Sequence, residues 1–532
     1  MVHHVFEIPE LVLAILNFLP DKADQKRFLL LCRPTWNIIA GERWKEVKDP
    51  WRLNALLPSD VKLLGPGPNE TKGLKSARLS RALRKREWDG IGMYTQHIQR
   101  LLLHDGKMGL DRERKPILVS GPLWILSTYR GVQPLFPALR AVTLHMEWPS
   151  TYVVCRLLLS QELESVSLSI STALQKRDSS MIWLLVDPLL DLLVEHGARL
   201  ETLVIDCGRA GRSVVFNAQF ADRLYRLMGG LKRAAVGLRN VSFAPLSADA
   251  PVLLTLAGID GLQSIALRLN TGDMAAIDRI PEDSFQDLLR VEIVTDWLHT
   301  LHTIFFLSKI SSESLEAIVM EASTTGEELA NFNNVVATRW CKSLVHFAVG
   351  CAPFQGEIPL MARHLPLQWP DMEPLLQCLQ LQTLKISLQY PADLTDERVA
   401  IVVGSLPSLR VLHLGSLSTW PSSKYIPHTT VHSLENIASG LVRLVDLMLD
   451  VNLGTMSIRN RDLEAAANPR IRSFVSRVLG GPVSKEVVRG RINKLFPSLV
   501  DIILTDNTEG MAESFSGRAR ESYGMDMDNG KW

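Results

Sequence analysis

The stretch LQTLKI at residues 381–386 shows the pattern that decides the fold, with apolar residues at its first, fourth and sixth positions. Strong copies of this hexamer are LRAVTL (139–144), LESVSL (163–168), LETLVI (200–205), LRVLHL (409–414) and LVDIIL (499–504). Weaker copies begin at Ile98, Leu238, Leu262, Leu288, Leu315, Leu344 and Leu444. The last two apolar positions have the spacing of a half-buried strand. Because one such strand cannot bury its own apolar face, the sequence predicts a stacked repeat array.

The hexamer resembles the strand segment of leucine-rich repeats, which implies an α/β solenoid with parallel strands over residues 91–507. The alternative is a plain α/β domain with leucine-rich strands. The steps from Leu163 to Leu200 and from Leu200 to Leu238 exceed the usual repeat length of about 20–29 residues. We therefore expect longer helices or insertions there, and a degenerate array.

Composition restricts the function classes. The chain of 532 residues has 46% hydrophobic and 22% charged residues, values of an ordinary globular protein. Because 58 basic residues balance 57 acidic ones, we expect neither a nucleic-acid nor a membrane partner. The six cysteines form no Cys-x-x-Cys pair, which indicates a reducing compartment. No long uncharged apolar run and no signal-peptide pattern is present, so we expect a cytoplasmic or nuclear protein, or both.

Residues 1–47 differ from the array and predict a short all-α unit. Pro9 is suited to the first turn of a helix that ends at Pro20, and Asp21 or Asp24 is suited to cap a second helix. Pro34 is placed to open a third. Three helices this short make a poor independent core, and such a unit usually packs against a partner.

The run from residue 8 to residue 44 resembles the F-box. Ile8-Pro9-Glu10 is similar to its opening motif, Ile15-Leu16 to its aliphatic pair and Leu31-Cys32-Arg33 to its Val-Cys-Arg segment. Trp44 is similar to its closing tryptophan, whereas Trp36 stands one position later than the family pattern. The resemblance implies docking of a Skp-type adaptor, and through it a cullin. The expected adaptor-binding residues are Ile8, Pro9, Leu11, Ile15, Leu16, Leu19, Leu31 and Trp44. The alternative is an amphipathic cap of the array that binds no adaptor.

Two further segments flank the array. Residues 48–90 form a connector whose basic run, from Lys72 to Arg86, is interleaved with Leu74, Leu79 and Leu83 and predicts a helix. Such a run is typical of a solvated face, with a nuclear-targeting or RNA-contacting patch as the alternative. The polar tail, residues 508–532, is typical of disorder.

The sequence contains no catalytic constellation. No phosphate-binding loop, no esterase-type nucleophile motif and no complete metal-ligand set is present, and His299-x-x-His302 lacks a third ligand nearby. We therefore expect no cofactor, no metal and no bond chemistry.

The outward positions of the strands offer a binding surface. Near the C-terminus, carboxylates fall on these positions beside two apolar side chains, Met448 and Ile503, so we expect a basic target protein to bind Asp446, Met448, Asp450 and Asp501. The alternative is that these aspartates keep a terminal repeat soluble, and Arg268 and Arg290 are then the next candidates.

The combined resemblance implies a substrate-recognition subunit of an SCF-type ubiquitin ligase, with the F-box on the adaptor and the repeats on an unknown target protein. The alternative is a leucine-rich-repeat scaffold without a ligase. A regulator of a small GTPase is a weaker third interpretation.

Overall fold

The computed structural model of the protein divides into two compact units, Met1–Ile259 and Asp260–Trp532. The residues that it describes are 4–19, 21–48, 52, 56–61, 63–64, 78–79, 81, 83–104, 108–110, 116–118, 135–146, 162–170, 189–195, 197–206, 214–234, 237–247, 250–269, 274–297, 300–324, 326–350, 368–388, 392–416, 427–452, 467–477 and 485–505.

The first unit opens with three helices, α1 (Pro9–Phe18), α2 (Lys22–Leu29) and α3 (Arg33–Trp44). Proline stands in the first turn of both α1 and α3, as predicted, because its missing N–H has no partner there in any case. The Oδ1 atom of Asp21 accepts a hydrogen bond from the Ala23 amide, 3.1 Å away, and caps α2. The predicted helix starts are thereby confirmed.

Parallel strands follow the helices. The sheet of the first unit has the order β1-β4-β7-β8-β9-β10, with β1 (Glu46–Val47), β4 (Arg100–His104), β7 (Ala141–Met146), β8 (Ser165–Ile170), β9 (Thr202–Asp206) and β10 (Asn240–Ser247). Two antiparallel pairs lie outside it, β2 (Leu63–Leu64) with β3 (Arg78–Leu79) and β5 (Met108–Leu110) with β6 (Pro116–Leu118). The labelled helices of this part are α4 (Lys85–Thr95), α5 (Val214–Ala234) and α6 (Ala250–Ala257).

The second unit continues the same construction. Its parallel strands pair in chain order: β11 (Ser264–Arg268), β12 (Arg290–Trp297), β13 (Ala317–Ser323), β14 (His346–Gly350), β15 (Thr383–Leu388), β16 (Val411–Ser416), β17 (Asp446–Leu449), β18 (Ser473–Arg477) and β19 (Asp501–Thr505). Its helices are α7 (Met274–Asp278), α8 (Thr300–Ser308), α9 (Gly326–Trp340), α10 (Trp369–Met372), α11 (Asp396–Ser405), α12 (Val431–Gly440) and α13 (Lys485–Leu495).

Every predicted hexamer forms a strand that begins two residues after its first apolar position. The register explains the pattern, because Leu384 pairs with Leu412, and Leu412 with Leu447, in one continuous ladder. These leucines and their equivalents on the other strands are buried, and burying one such side chain stabilises the fold by about 1.5–3 kcal/mol. The predicted α/β array with parallel strands is confirmed.

A repeated hydrogen-bond arrangement joins each strand to the next. The Gln382 carbonyl accepts the amides of Arg410 and Val411, at 2.7 and 3.0 Å, where β15 meets β16. Equivalent carbonyls each accept two consecutive amides and so fix the register along both units. They belong to Lys45, Gln99, Arg140, Glu164 and Glu201 in the first unit, and to Gln263, Leu289, Glu316, Val345, Arg410, Val445 and Arg472 in the second.

Two strands that pair in parallel, β1 and β18, were not predicted, and neither were the short antiparallel strands β2, β3, β5 and β6. In β18 the third apolar position is Ser476, although Ile471 and Phe474 occupy the first two and are buried. β1, which follows α3, has only two residues and is too short to carry the three-position pattern.

The predicted basic helix of residues 72–86 needs correction. Residues 78–79 are extended in β3, where Leu79 pairs with Leu63. In the described part of this segment a helix begins at Lys85, so the predicted boundary at residue 90 falls inside α4. Arg81 does not contribute a free positive charge, because its guanidinium contacts Asp60 at 2.7 Å and Glu87 at 2.6 Å. The hydrogen bonds from Arg81 and from the Arg84 amide lower the pKa of Glu87 to about 2.

The long step between Leu200 and Leu238 contains α5, whose 21 residues account for the extra length that the spacing predicted. Residues 72–77 and the tail 508–532 lie outside the described residues.

Candidate interaction surfaces

The three N-terminal helices enclose a small core. Val12 and Leu16 of α1 pack with Phe28 of α2 and Ile39 of α3, and all four side chains are buried. The Phe6 ring lies on Phe28 with 6.2 Å between centroids. Four buried side chains are few for an independent domain, which is consistent with a unit that depends on its neighbours.

The residues predicted to bind an adaptor divide by exposure. Leu16 is a core residue, so its contribution is to hold the helices together. Ile15 and Leu19 are partly buried against the same core. Trp44 is half-buried. The others have exposed side chains, namely Ile8, Pro9, Leu11 and Leu31.

Two large apolar side chains of this unit were missed by sequence reasoning. Phe18 is 86% exposed at the end of α1, and Leu30 is 81% exposed after α2, next to the 60% exposed Leu31. The sequence signal for Leu30 was the run FLLL at 28–31, because four consecutive apolar residues exceed what one face of a helix can bury. We call Ile8, Leu11, Phe18, Leu30 and Leu31 the apolar helix surface. Contiguous apolar patches mark interaction sites, so these exposed side chains are the candidates for such a site on the helix trio.

The helices are joined directly to the first strands. The Lys45 carbonyl, just after α3, accepts the amides of Gln99 and Arg100 at 2.9 Å each. The Trp36 and Trp44 rings of α3 lie 5.4 and 5.3 Å from the Tyr94 ring of α4. The boundary predicted at residue 47 is therefore not a separation, because backbone and aromatic contacts continue across it.

A second surface is formed by the strand residues that alternate with the buried ladders, which we call the open face. In the second unit it carries a charged network over β15, β16 and β17. The His413 Nε2 atom donates to Asp446 Oδ2 over 2.9 Å. Burial raises the pKa of Asp446, but the bond from His413, the nearby charges of His413 and Lys385 and a bond from Ser473 outweigh it, so that this pKa lies below its usual value. Burial lowers the pKa of Lys385, against the opposing charge of Asp446.

His346 extends this network on β14. Its Nδ1 atom is hydrogen-bonded to Thr383 Oγ1 at 3.0 Å. Burial lowers the pKa of His346, and the positive charges of Arg290, Arg410 and Lys385 lower it further. The imidazole is therefore held neutral among cations.

Two of the four residues predicted to bind a basic target need correction. Met448 is only 5% exposed, because it lies over Gly415, where a Cβ atom would come within 3.2 Å of its Cε. Asp450 is 9% exposed, and its carbonyl accepts from the Thr429 hydroxyl. Asp446 is half-buried and is bonded to His413, whereas Asp501 is exposed. A basic target would meet one free carboxylate rather than a cluster.

Among the residues that the structure describes, no helix is long and apolar enough to cross a membrane. No group of three or more histidine, cysteine or acidic side chains in that same part could hold a metal ion. Cys378 is buried, and burial with the neighbouring Cys341 raises the pKa of its thiol to about 12, which leaves it unreactive.

Comparisons with known proteins give structural neighbours of low similarity. No family model and no curated protein matches the sequence. The Rad7–Elc1 complex of yeast contains a chain that is 10% identical, with 69% of this chain and 74% of that chain covered and a TM-score of 0.35. The leucine-rich-repeat-containing protein LegL7 of Legionella pneumophila is 14% identical, with 68% and 99% covered and a TM-score of 0.29. These scores carry no argument about function, and the fold rests on the strand register described above.

Proposed function

We propose that the protein is a substrate-recognition subunit of an SCF-type ubiquitin ligase. The observation that carries the proposal is the apolar helix surface, with Phe18 and Leu30 almost fully exposed, on a helix trio attached to an open-faced repeat array. Solvent-exposed apolar side chains of this size are stabilised when a partner covers them. The F-box resemblance of residues 8–44 supports a Skp-type adaptor as that partner, and through it a cullin.

In this role the protein does no bond chemistry. It supplies proximity, since a target held on the array has a high effective concentration at a remote catalytic centre. The proposal therefore includes a target protein on an open face, and a cytoplasmic or nuclear location where adaptor and target are present.

A scaffold without a ligase is the second candidate, and one observation favours it. The bonds from Gln99 and Arg100 to the Lys45 carbonyl make α3 an integral end of the array, as a capping helix would be. A cap covers apolar surface, however, whereas this trio exposes it on the side of Leu11 and Phe18.

The test is a pull-down of recombinant Skp-type adaptor with the full chain. We expect Phe18→Asp with Leu30→Asp to abolish adaptor recovery, because docking would bury two carboxylates without partners, at several kcal/mol. The matched control is Val442→Asp with Val500→Asp, since these apolar side chains are also exposed but lie in the array. Both variants should melt as the wild type does.

Equal adaptor recovery from both variants, or none from the wild type, would remove the ligase proposal and leave the scaffold. Leu16→Asp is unsuitable for this test, because Leu16 is part of the helix core and its loss would unfold the trio.

A further inference from the structure

A cavity of about 310 Å³ lies between α1, α3 and the segment that joins α4 to β4, which contributes Gln96, His97 and Gln99. Its apolar lining consists of Pro9 and Leu13 of α1 with Ile38 and Gly41 of α3. Gly41 lies next to His97, since a Cβ atom at this position would be in van der Waals contact with His97 Nδ1 at 3.6 Å. The volume is at the lower end of the range for small-molecule pockets, about 300–1,000 Å³.

Two opposite charges line the same cavity. Glu42 and Lys45 stand three positions apart on the α3 side, so their Cβ atoms are about 5–6 Å apart. Neither side chain has a hydrogen bond or an ion pair in the described structure, with each other or with any neighbour. A carboxylate and an ammonium group are thus both available at the cavity.

His97 adds a neutral polar group to the lining. Its Nε2 atom is buried and has no hydrogen-bond partner among the described residues, and burial lowers the pKa of the imidazole. The Trp36 ring, 6.2 Å away between centroids, contacts the imidazole edge to face and limits its rotation. The cavity therefore combines apolar side chains, one positive and one negative group, an imidazole, and the amides of Asn37, Gln96 and Gln99.

We propose that this cavity binds a small zwitterion with an apolar tail, namely an α-amino acid with an aliphatic side chain. Its ammonium and carboxylate groups are attached to one carbon atom, so they match two adjacent charges of opposite sign, the ammonium on Glu42 and the carboxylate on Lys45. The aliphatic side chain then covers Leu13 and Ile38. A dianion or a dication would place a like charge against one of the two side chains.

This site is distinct from the apolar helix surface. On α1 the cavity is lined by Pro9 and Leu13, whereas Leu11 and Phe18 belong to the apolar helix surface. Residues two positions apart, such as Leu11 and Leu13, do not share a helix face. Loss of adaptor binding and loss of ligand binding can therefore be observed independently.

The experiment is titration calorimetry of the full chain with L-leucine, L-isoleucine and L-valine, supported by thermal shift. We expect at least one to bind and to raise the melting temperature, and N-acetyl-L-leucine amide, which has neither charge, to do neither. Glu42→Gln and Lys45→Gln should each weaken binding about 10- to 100-fold, because each removes one charge-assisted hydrogen bond. Glu10→Gln, an exposed carboxylate of α1 outside the cavity, is the matched control and should bind as the wild type does.

Three results would overturn the proposal. The first is no binding of any of the three amino acids at millimolar concentration. The second is equal binding of the neutral amide, and the third is unchanged affinity in both the Glu42 and the Lys45 variant.

Discussion

Single polar side chains hold neighbouring repeats together at the helix ends. Asp396, in the first turn of α11, accepts from the Thr430 amide at 2.7 Å, from the Thr430 hydroxyl at 2.6 Å and from the Ser433 hydroxyl at the start of α12. Asn468 donates to the Leu441 carbonyl over 3.0 Å, and Trp340 to the Ser312 carbonyl over 2.7 Å. Each contact satisfies a backbone or side-chain group that would otherwise be buried without a partner.

We expect Asp396→Ala to lower the free energy of unfolding by about 2 kcal/mol at neutral pH, since it removes the charge-assisted hydrogen bonds from Thr430 and Ser433. The matched control is Glu397→Ala, an exposed neighbour in the same helical turn. Urea denaturation followed by circular dichroism measures both variants.

The effect should depend on pH. Burial raises the pKa of Asp396, but the bonds from Ser433 and Thr430 and the charge of His432 outweigh it and hold this pKa below its usual value. The stabilisation is then complete above the unfolded pKa of about 3.9 and is lost as the pH falls through the lower folded value. If the free energies of unfolding of wild type and Asp396→Ala differ by the same amount at neutral pH and at the most acidic pH, this assignment is wrong.

Exposure of individual side chains was the least predictable feature. Alternation along β17 correctly places Met448 on the open face, but its burial depends on the absence of a side chain at Gly415, on the neighbouring strand. Phe18 and Leu30 are exposed although they are apolar. Hydrophobic periodicity does not predict this, because it identifies residues that face a core and not apolar residues that face solvent.

At the scale of elements, hydrophobic spacing predicts the strands well. The thirteen hexamers all form strands, because the first apolar residue packs as the strand is entered and the next two face the same ladder. The spacing fails where the third position is polar, as at Ser476 of β18, and where a strand is too short to repeat, as in β1. It also fails at Arg78 and Leu79. Their spacing from other apolar residues predicts a helix, but both residues are extended and pair with β2.

We expect Phe474→Ala in β18 to destabilise the second unit by about 3–5 kcal/mol, as a large-to-small change in a core does. Phe474 is fully buried, pairs with Leu447 and Ile502, and lies 5.9 Å from the Phe496 ring. Val475→Ala, at a half-buried position of the same strand, is the control and should cost far less. If chemical denaturation shows an equally small loss in the free energy of unfolding for Phe474→Ala and Val475→Ala, β18 is not a core strand of the array.

At the scale of the first unit, the N-terminal helices and the first strands should unfold together. We expect Trp44→Ala to lower the free energy of unfolding by about 2 kcal/mol, because it removes the contact with Tyr94 and the Arg52 guanidinium, 5.7 Å from the Trp44 ring centre. Native-state hydrogen exchange should report equal losses of protection in α3 and in β4. Tyr225→Ala, a partly exposed aromatic of α5, serves as control. Loss of protection confined to α1, α2 and α3 would show that the helices and the first strands unfold independently.

The proposed function requires the apolar helix surface to be a docking site, and hydrogen–deuterium exchange of the full chain with and without a Skp-type adaptor tests this most directly. We expect added protection in residues 8–19 and 28–33, which contain Leu11, Phe18, Leu30 and Leu31, and no change in α13 of the array. Protection that appears only in the array, or none at all at saturating adaptor, would contradict the account.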